Sequence, residues 1–267
     1  MTALRRLWLV GCGNMAGAML DGWIAAGAVD PAEVFVVNRQ DRALPAGVRQ
    51  GRAFPDGPLP DAVMLGMKPF QIDEIAAVHG QRIAGVPLLI SILAGVEEAT
   101  LARKFDADAV VRAMPNLPVA IGKGVVGLAS TGASAEQRVA VGALMAPLGL
   151  VEWVEERLFD VVAAVAGSGP GFTYRFIDAL ADAGMAMGFA PEQAQRLAMA
   201  TVEGSGLLAA AADVPPSVLA DRVASPRGST REGYAVLDKD DALKTLIRET
   251  IAAAVRRNAE MAAEARG

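Results

Sequence analysis

Two clusters of residues in this chain have the types and spacing for chemistry. The first is Gly11-Cys12-Gly13-Asn14-Met15-Ala16, a G-x-G-x-x-A turn entered by the apolar run Leu7-Trp8-Leu9-Val10. In such a turn the first glycine permits a sharp reversal, the second lets the backbone approach a pyrophosphate, and a small third residue lets the next helix pack on the strand. The free N–H groups and dipole of that helix then face the phosphates. The second cluster is Ser225-Pro226-Arg227-Gly228-Ser229-Thr230, a hydroxyl-rich turn that opens a helix. Helix-terminal N–H groups there would hold a carboxylate, with a hydroxyl beside the reacting atom. Ser229-x-x-Glu232 also reads as a capping box, which would make the turn a helix cap.

The remaining polar inventory narrows the chemistry. The sole histidine, His79, falls in a helix-to-strand connection far from the glycine-rich edge and is expected at the surface. Gly167-Ser168-Gly169-Pro170 lacks G-x-S-x-G spacing and has no histidine placed as its base, which argues against a hydrolase. The single cysteine, Cys12, excludes an intrachain disulfide and a Cys-rich metal cluster, so no metal is expected and a reducing cytoplasm fits. With 25 basic against 30 acidic side chains, net charge −5, the chain offers no basic surface for nucleic acid. Hydrophobic content is 53%, yet Gly, Pro or charged residues interrupt every apolar stretch. None reaches the ~20 residues of a membrane span. Arg5-Arg6 leads directly into the first strand, unlike a signal peptide. A cytoplasmic protein without membrane or nucleic-acid partners is expected.

The elements that must position these clusters follow from periodicity. Short apolar runs recur between helical patterns: Leu7 to Val10, Val34 to Val37, Ala62 to Met67, Leu88 to Leu93, Ala109 to Ala113 and Gly124 to Ala129. This alternation predicts an α/β fold with a mostly parallel, doubly wound, Rossmann-like sheet, whose C-terminal strand ends bind ligands. A helix from about Ala135 to Pro147 and a strand from Leu150 to Val154 close it. From Glu156 the pattern is helical only and rich in Ala and Met, as in Ala179-Leu180-Ala181-Asp182-Ala183-Gly184. Helices so poor in bulky side chains need neighbouring chains to complete a core, so a homo-oligomer is expected. The predicted domains are residues 1–155, a nucleotide-binding unit, and 156–267, a helical unit for substrate binding and dimerisation.

The end of the second strand separates NAD from NADP, because a carboxylate there accepts the ribose hydroxyl and repels a 2′-phosphate. This chain has Asn38-Arg39-Gln40. An amide donor beside a guanidinium fork suits a phosphate dianion, which favours NADPH over NADH.

Together these residues resemble the Δ1-pyrroline-5-carboxylate reductase family over nearly the whole length. The motifs are Gly11 to Ala16, Lys68-Pro69, Ser91-Ile92-Leu93-Ala94-Gly95, Arg112-Ala113-Met114-Pro115-Asn116-Leu117-Pro118, Gly167 to Pro170, Asp182-Ala183-Gly184 and the Ser225 to Thr230 turn. The resemblance implies NADPH-dependent reduction of a cyclic imino acid to proline, a Rossmann domain followed by a helical domain that dimerises, and often larger rings. By position it implies that Gly11, Cys12, Gly13, Asn14, Met15 and Ala16 form the pyrophosphate loop and that Asn38 and Arg39 take the 2′-phosphate. Gly66, Met67, Lys68 and Pro69, with Leu93, Ala94 and Gly95, would meet ribose and nicotinamide, joined by Met114 and Asn116 as further cofactor contacts. Ser225, Gly228, Ser229 and Thr230 would bind substrate, with Thr230 catalytic, and Asp213 aligns loosely with an acidic substrate-side residue.

The chain also departs from the family pattern. Arg227 stands where relatives carry the first glycine of Ser-Pro-Gly-Gly, Ala163 and Ala166 replace hydroxyl residues, and Phe172 replaces a tyrosine. Between Arg49 and Pro60 there is no asparagine at a place where relatives carry a cofactor-binding one, which implies lower cofactor affinity. A β-hydroxyacid dehydrogenase is disfavoured, because no lysine occurs between Lys123 and Lys239. A reductase of a six-membered cyclic imino acid stays open, since one methylene is worth only ~1 to 3 kcal/mol of discrimination. A non-catalytic NADP-binding regulator would keep the glycine loop without needing the Ser229-Thr230 turn.

Overall fold

In a computed structural model, which describes residues 4–264, the apolar runs form one eight-stranded sheet. The strands are β1 (Leu7–Val10), β2 (Val34–Val37), β3 (Arg49–Gly51), β4 (Ala62–Leu65), β5 (Leu89–Ser91), β6 (Val110–Pro115), β7 (Gly124–Ala129) and β8 (Gly149–Trp153), in the order β3-β2-β1-β4-β5-β6-β7-β8. β1 to β6 pair in parallel; β7 runs antiparallel to β6, and β8 follows β7 in parallel. The order reverses at β1, which lies between β2 and β4, and such a switch point is where ligands bind on an open α/β sheet.

β1 is buried at every residue, which explains why its sequence shows no alternation. Leu7 and Leu9 point into one core with Met19, Leu20 and Trp23 of α1 (Asn14–Ala25) and Leu144 of α4 (Ala135–Met145). Trp8 and Val10 point into the other, with Ile72, Ile75 and Ile83 of α2 (Ile72–Ile83) and Leu101 of α3 (Glu98–Lys104). β3 lies outside the strands expected from sequence; Arg-Gln-Gly at a sheet edge carries no apolar signal.

The exit of β6 is fixed by a buried polar knot absent from the motif reading. Arg112, 4% exposed, donates to Glu156 Oε1 at 2.7 Å and lies 3.9 Å above the Phe159 ring. Glu98 accepts from the Thr131 and Gly132 amides at 2.9 and 3.3 Å. This knot, together with Phe159 and Ala163 packing on Met114 and Ala129, draws the chain beyond residue 155 into the sheet unit. Among the described residues, one compact unit runs through Ser168 and takes in residues 253–264, and the other is Gly169–Ala252, so the division falls later than residue 155. The outermost residues of both expected domains, 1–3 and 265–267, lie outside the described residues.

At the end of the sheet unit's first segment, α5 (Phe159–Val162) passes into a π-helical turn, Ala163–Gly167. The second unit is all helix: α6 (Gly169–Ala186), α7 (Pro191–Ala211), α8 (Pro216–Val223), α9 (Ser229–Leu237) and the first half of α10 (Ala242–Glu264). Ala181 of α6 meets Ala194 and Ala198 of α7, with Ile177 beside them. Tyr234 Oη donates to the Ala220 carbonyl at 3.1 Å and ties α9 to α8. Among the described residues, no helix is long and apolar enough to cross a membrane.

Candidate active site

At the strand ends of the sheet unit lies a cleft of about 1010 Å³. Its walls include Gly11 to Met15, Asn38, Arg39, Gly66 to Pro69, Ala94 and Met114. Gly11 has φ +81°, and a Cβ there would stand 2.9 Å from the Met67 backbone nitrogen, so this position requires glycine. A Cβ on Gly13 would meet nothing within 4 Å, and Gly13 begins α1 with no side chain capping its amides and no acidic residue in the first turn. An open approach to uncapped amides is what a dinucleotide pyrophosphate fits.

Four of the expected cofactor residues do not line the cleft. Ala16 is buried beneath it, where a Cβ on Gly66 would come within 2.9 Å of the Ala16 methyl. Leu93 is buried in the core. Gly95, at φ +72°, packs on Met261 of α10, 3.1 Å from where its Cβ would lie. Asn116 is buried, its amide donating to the Ala166 carbonyl at 3.0 Å and accepting from the Val125 amide at 2.8 Å. These positions shape the walls, which a motif in sequence does not distinguish from contact.

Asn38 and Arg39 divide their work. The Cys12 amide donates to Asn38 Oδ1 at 3.0 Å, and Asn38 Nδ2 donates to Gln50 Oε1 at 3.4 Å, so Asn38 pins the glycine turn to the end of β2. Arg39 is exposed on the rim, ion-paired with Glu74 of α2. Arg42 and Arg52 also line the cleft; Arg52 Nη1 donates to Asp41 Oδ1 at 2.8 Å and to the Asn38 carbonyl at 3.1 Å. Burial, and then Asp21, push the Cys12 thiol up to about 11 against the opposing pull of Arg42, so it stays protonated at neutral pH.

His79 is neither in a connection nor at the surface. It belongs to α2, borders the cleft and is buried, with its ring edge-on to Phe54 at 5.4 Å; Phe54 in turn stacks on Trp8. Burial pushes its pKa below the ordinary 6.5, so the ring is neutral at pH 7 and suits packing better than acid catalysis. The surface expectation treated its isolation as exposure, whereas His79 lies four residues after buried Ile75 on the same helix face.

In the helical unit the Ser225 turn has a defined geometry. The Gly228 amide donates to the Ser225 carbonyl at 3.0 Å, and a Cβ on Gly228 would come within 2.4 Å of Ser225 Oγ. Arg227 has φ +60°, a left-handed conformation that favours glycine, so the turn holds an arginine there at a cost of roughly 1 kcal/mol. Gly228, not Ser229, is the N-cap of α9, and no side-chain cap is formed. The capping box expected at Ser229-x-x-Glu232 is therefore absent: Ser229 is already in the helix, exposed, and Thr230 follows it, half-buried. Their hydroxyls are free of capping duty. Asp213 lies exposed between α7 and α8, its carboxylate in no hydrogen bond or ion pair among the described residues. Among these residues, no group of three or more His, Cys, Asp or Glu side chains could hold a metal ion.

Comparison with known proteins extends over both units. Residues 156–261 match the family model for pyrroline-5-carboxylate reductase dimerisation. The pyrroline-5-carboxylate reductase of Synechocystis sp. is 35% identical over 270 residues, covering 96% of this chain and 98% of that protein. A solved pyrroline-5-carboxylate reductase from Coxiella burnetii superimposes with TM-score 0.85 at 30% identity, covering 97% of this chain and 98% of the other. The NADP-bound pyrroline carboxylate reductase of Plasmodium falciparum shares the fold, with TM-score 0.83 at 23% identity over 98% of this chain and 99% of the other. With whole-length similarity of this degree, the chain belongs to the pyrroline-5-carboxylate reductase family.

Proposed function

We propose that this protein reduces Δ1-pyrroline-5-carboxylate to proline with NADPH as reductant, as a homodimer or a larger homo-oligomer in the cytoplasm. The observation that supports this most directly is the pairing, in a chain related to such reductases end to end, of an open glycine-loop cleft with an uncapped hydroxyl-bearing helix start. The amides of Gly13 to Met15 would hold the pyrophosphate, and Arg39 the 2′-phosphate. Met67 to Pro69, Ala94 and Met114 would shape the wall beyond it. When bound, NADPH supplies the hydride that the imine carbon accepts. The amides of Ser229 and Thr230 would hold the substrate carboxylate, and the Thr230 hydroxyl would orient the ring nitrogen or relay a proton to it. Ser225 and Gly228 fix the turn that presents them; Asp213 would stand on the substrate side.

The exposed apolar side chains of the helical unit support assembly through residues 156–267. The net charge of −5 supports a small-molecule partner rather than nucleic acid, and the lone buried thiol suits a reducing compartment.

The test is NADPH oxidation with five-membered and six-membered cyclic imino acids, with NADH as the alternative reductant. The reading expects the five-membered imine and NADPH to give the higher kcat/KM. A preference for the six-membered ring would reassign the substrate, and the strained Arg227 turn is the feature that would then carry the change. NADPH binding without turnover of either ring would make the protein a regulator.

A further inference from the structure

The cleft rim that Arg39 serves carries a carboxylate from a distant part of the chain. Glu74 sits in the first turn of α2, pairs with Arg39, and is the only acidic residue lining the cleft among the described residues. Both side chains are more than half exposed, so the pair is free to open and close in water. The other guanidinium groups there differ: Arg52 is held by Asp41 and the Asn38 carbonyl, and Arg42 has no carboxylate partner among the described residues. The end of β2 lacks the acidic residue that would repel a 2′-phosphate, yet Glu74 brings a negative charge to the same rim through tertiary structure.

We propose that Glu74 is a cofactor-discriminating residue that competes with the 2′-phosphate of NADPH for Arg39 and so narrows the preference for NADPH over NADH. This rests on Arg39 being the 2′-phosphate contact. A 2′-phosphate must break the Arg39–Glu74 pair and then lie near the released carboxylate, a like charge. NADH, with a hydroxyl at that position, leaves the pair intact. An acidic residue fixed at the end of β2 would reject the phosphate outright; one on a flexible pair across the cleft lowers its affinity in a graded way.

The experiment measures Kd for NADPH and NADH on the full-length protein by nicotinamide fluorescence, in wild type, Glu74→Gln, Glu74→Ala, Arg39→Ala and Arg39→Ala with Glu74→Gln. Both Glu74 variants should bind NADPH about 3- to 10-fold more tightly, the scale of an exposed ion pair plus a removed repulsion, with NADH changed less than about 2-fold. In the Arg39→Ala background the Glu74→Gln gain should shrink, because the pair is already broken. Thermal midpoints without cofactor should coincide with wild type. Equal change for both cofactors, no change for NADPH, or selective weakening of NADH overturns the role of Glu74 while Arg39→Ala remains selective against NADPH. If Arg39→Ala weakens NADPH and NADH alike, the Arg39 reading fails and takes the proposal with it.

Discussion

The sheet unit and the helical unit are both rich in aliphatic residues, and they use them in opposite ways. Around the sheet, Trp23, Phe105, Phe159, Leu7 and Leu9 are fully buried, and the central strands β1, β4, β5 and β6 are buried at every residue within their own chain. In Gly169–Ala252 the buried hydrophobic residues are alanines alone, Ala181, Ala194, Ala198 and Ala224. Its larger side chains face outward, among them Tyr174, Phe176, Met187, Leu207 and Leu208, the last 64% exposed. The first unit specifies an interior; the second specifies helices and leaves the burial of their apolar faces to another surface. Burial at about 25 cal/mol per Å² is the term that offsets chain entropy, so the helical unit gains most from a second copy.

The sharpest way to break that contrast is to charge the outward face. Leu207→Asp combined with Leu208→Asp should abolish assembly and, with it, reductase activity, while NADPH titration of the cleft stays within about 2-fold of wild type. Light scattering beside cofactor titration checks both halves. A fully active monomer would show that the helical unit stands on its own.

Thr230→Val tests the division of labour at the level of chemistry. The substitution keeps the β-branched shape and removes the hydroxyl, so kcat/KM for the imine should fall by roughly 10- to 1000-fold, within the range for positioned donors. NADPH affinity should stay unchanged. Since Gly228 rather than Thr230 caps α9, the thermal midpoint should also hold, which separates a catalytic loss from a structural one. An unchanged kcat/KM would remove Thr230 from the reaction.

What could be read from the sequence follows the same divide. The sheet was legible because strands buried on both faces become plain apolar runs, and the glycine loop because positive φ at Gly11 and close approach of Ala16 to Gly66 allow few residue types. β3 was not, since an exposed Arg-Gln-Gly edge carries no pattern. Side-chain partners were hidden throughout. The Asn38 amide locks Cys12, Gly95 accommodates Met261 and Glu74 holds Arg39 across long stretches of sequence. In the helical unit, composition indicated helices seeking a partner, yet the N-cap moved from Ser229 to Gly228 because the Ser225–Gly228 turn closes one residue earlier than the hydroxyl pattern suggests.

The smallest expected effect concerns acid. The chain's only histidine is buried in the sheet unit against Phe54, and the helical unit has none, so histidine-linked acid sensitivity should be confined to the sheet. Burial lowers the folded pKa of His79 below 6.5, while the unfolded chain titrates near that ordinary value. Between the two pKa values the unfolded state binds more protons, so stability rises with pH there and is lost as pH falls from about 6.5 toward the folded pKa. Above the unfolded pKa both states are neutral and His79 adds no slope. His79→Phe keeps an aromatic ring beside Phe54 and removes the titration. Urea midpoints measured from about pH 7.5 to about pH 5.5 should fall less steeply in the variant, by at most about 1.4 kcal/mol per pH unit. The same slope in both proteins would show that the buried ring takes up its proton as readily as it does in water, and the burial of His79 against Phe54 would then carry no acid sensitivity.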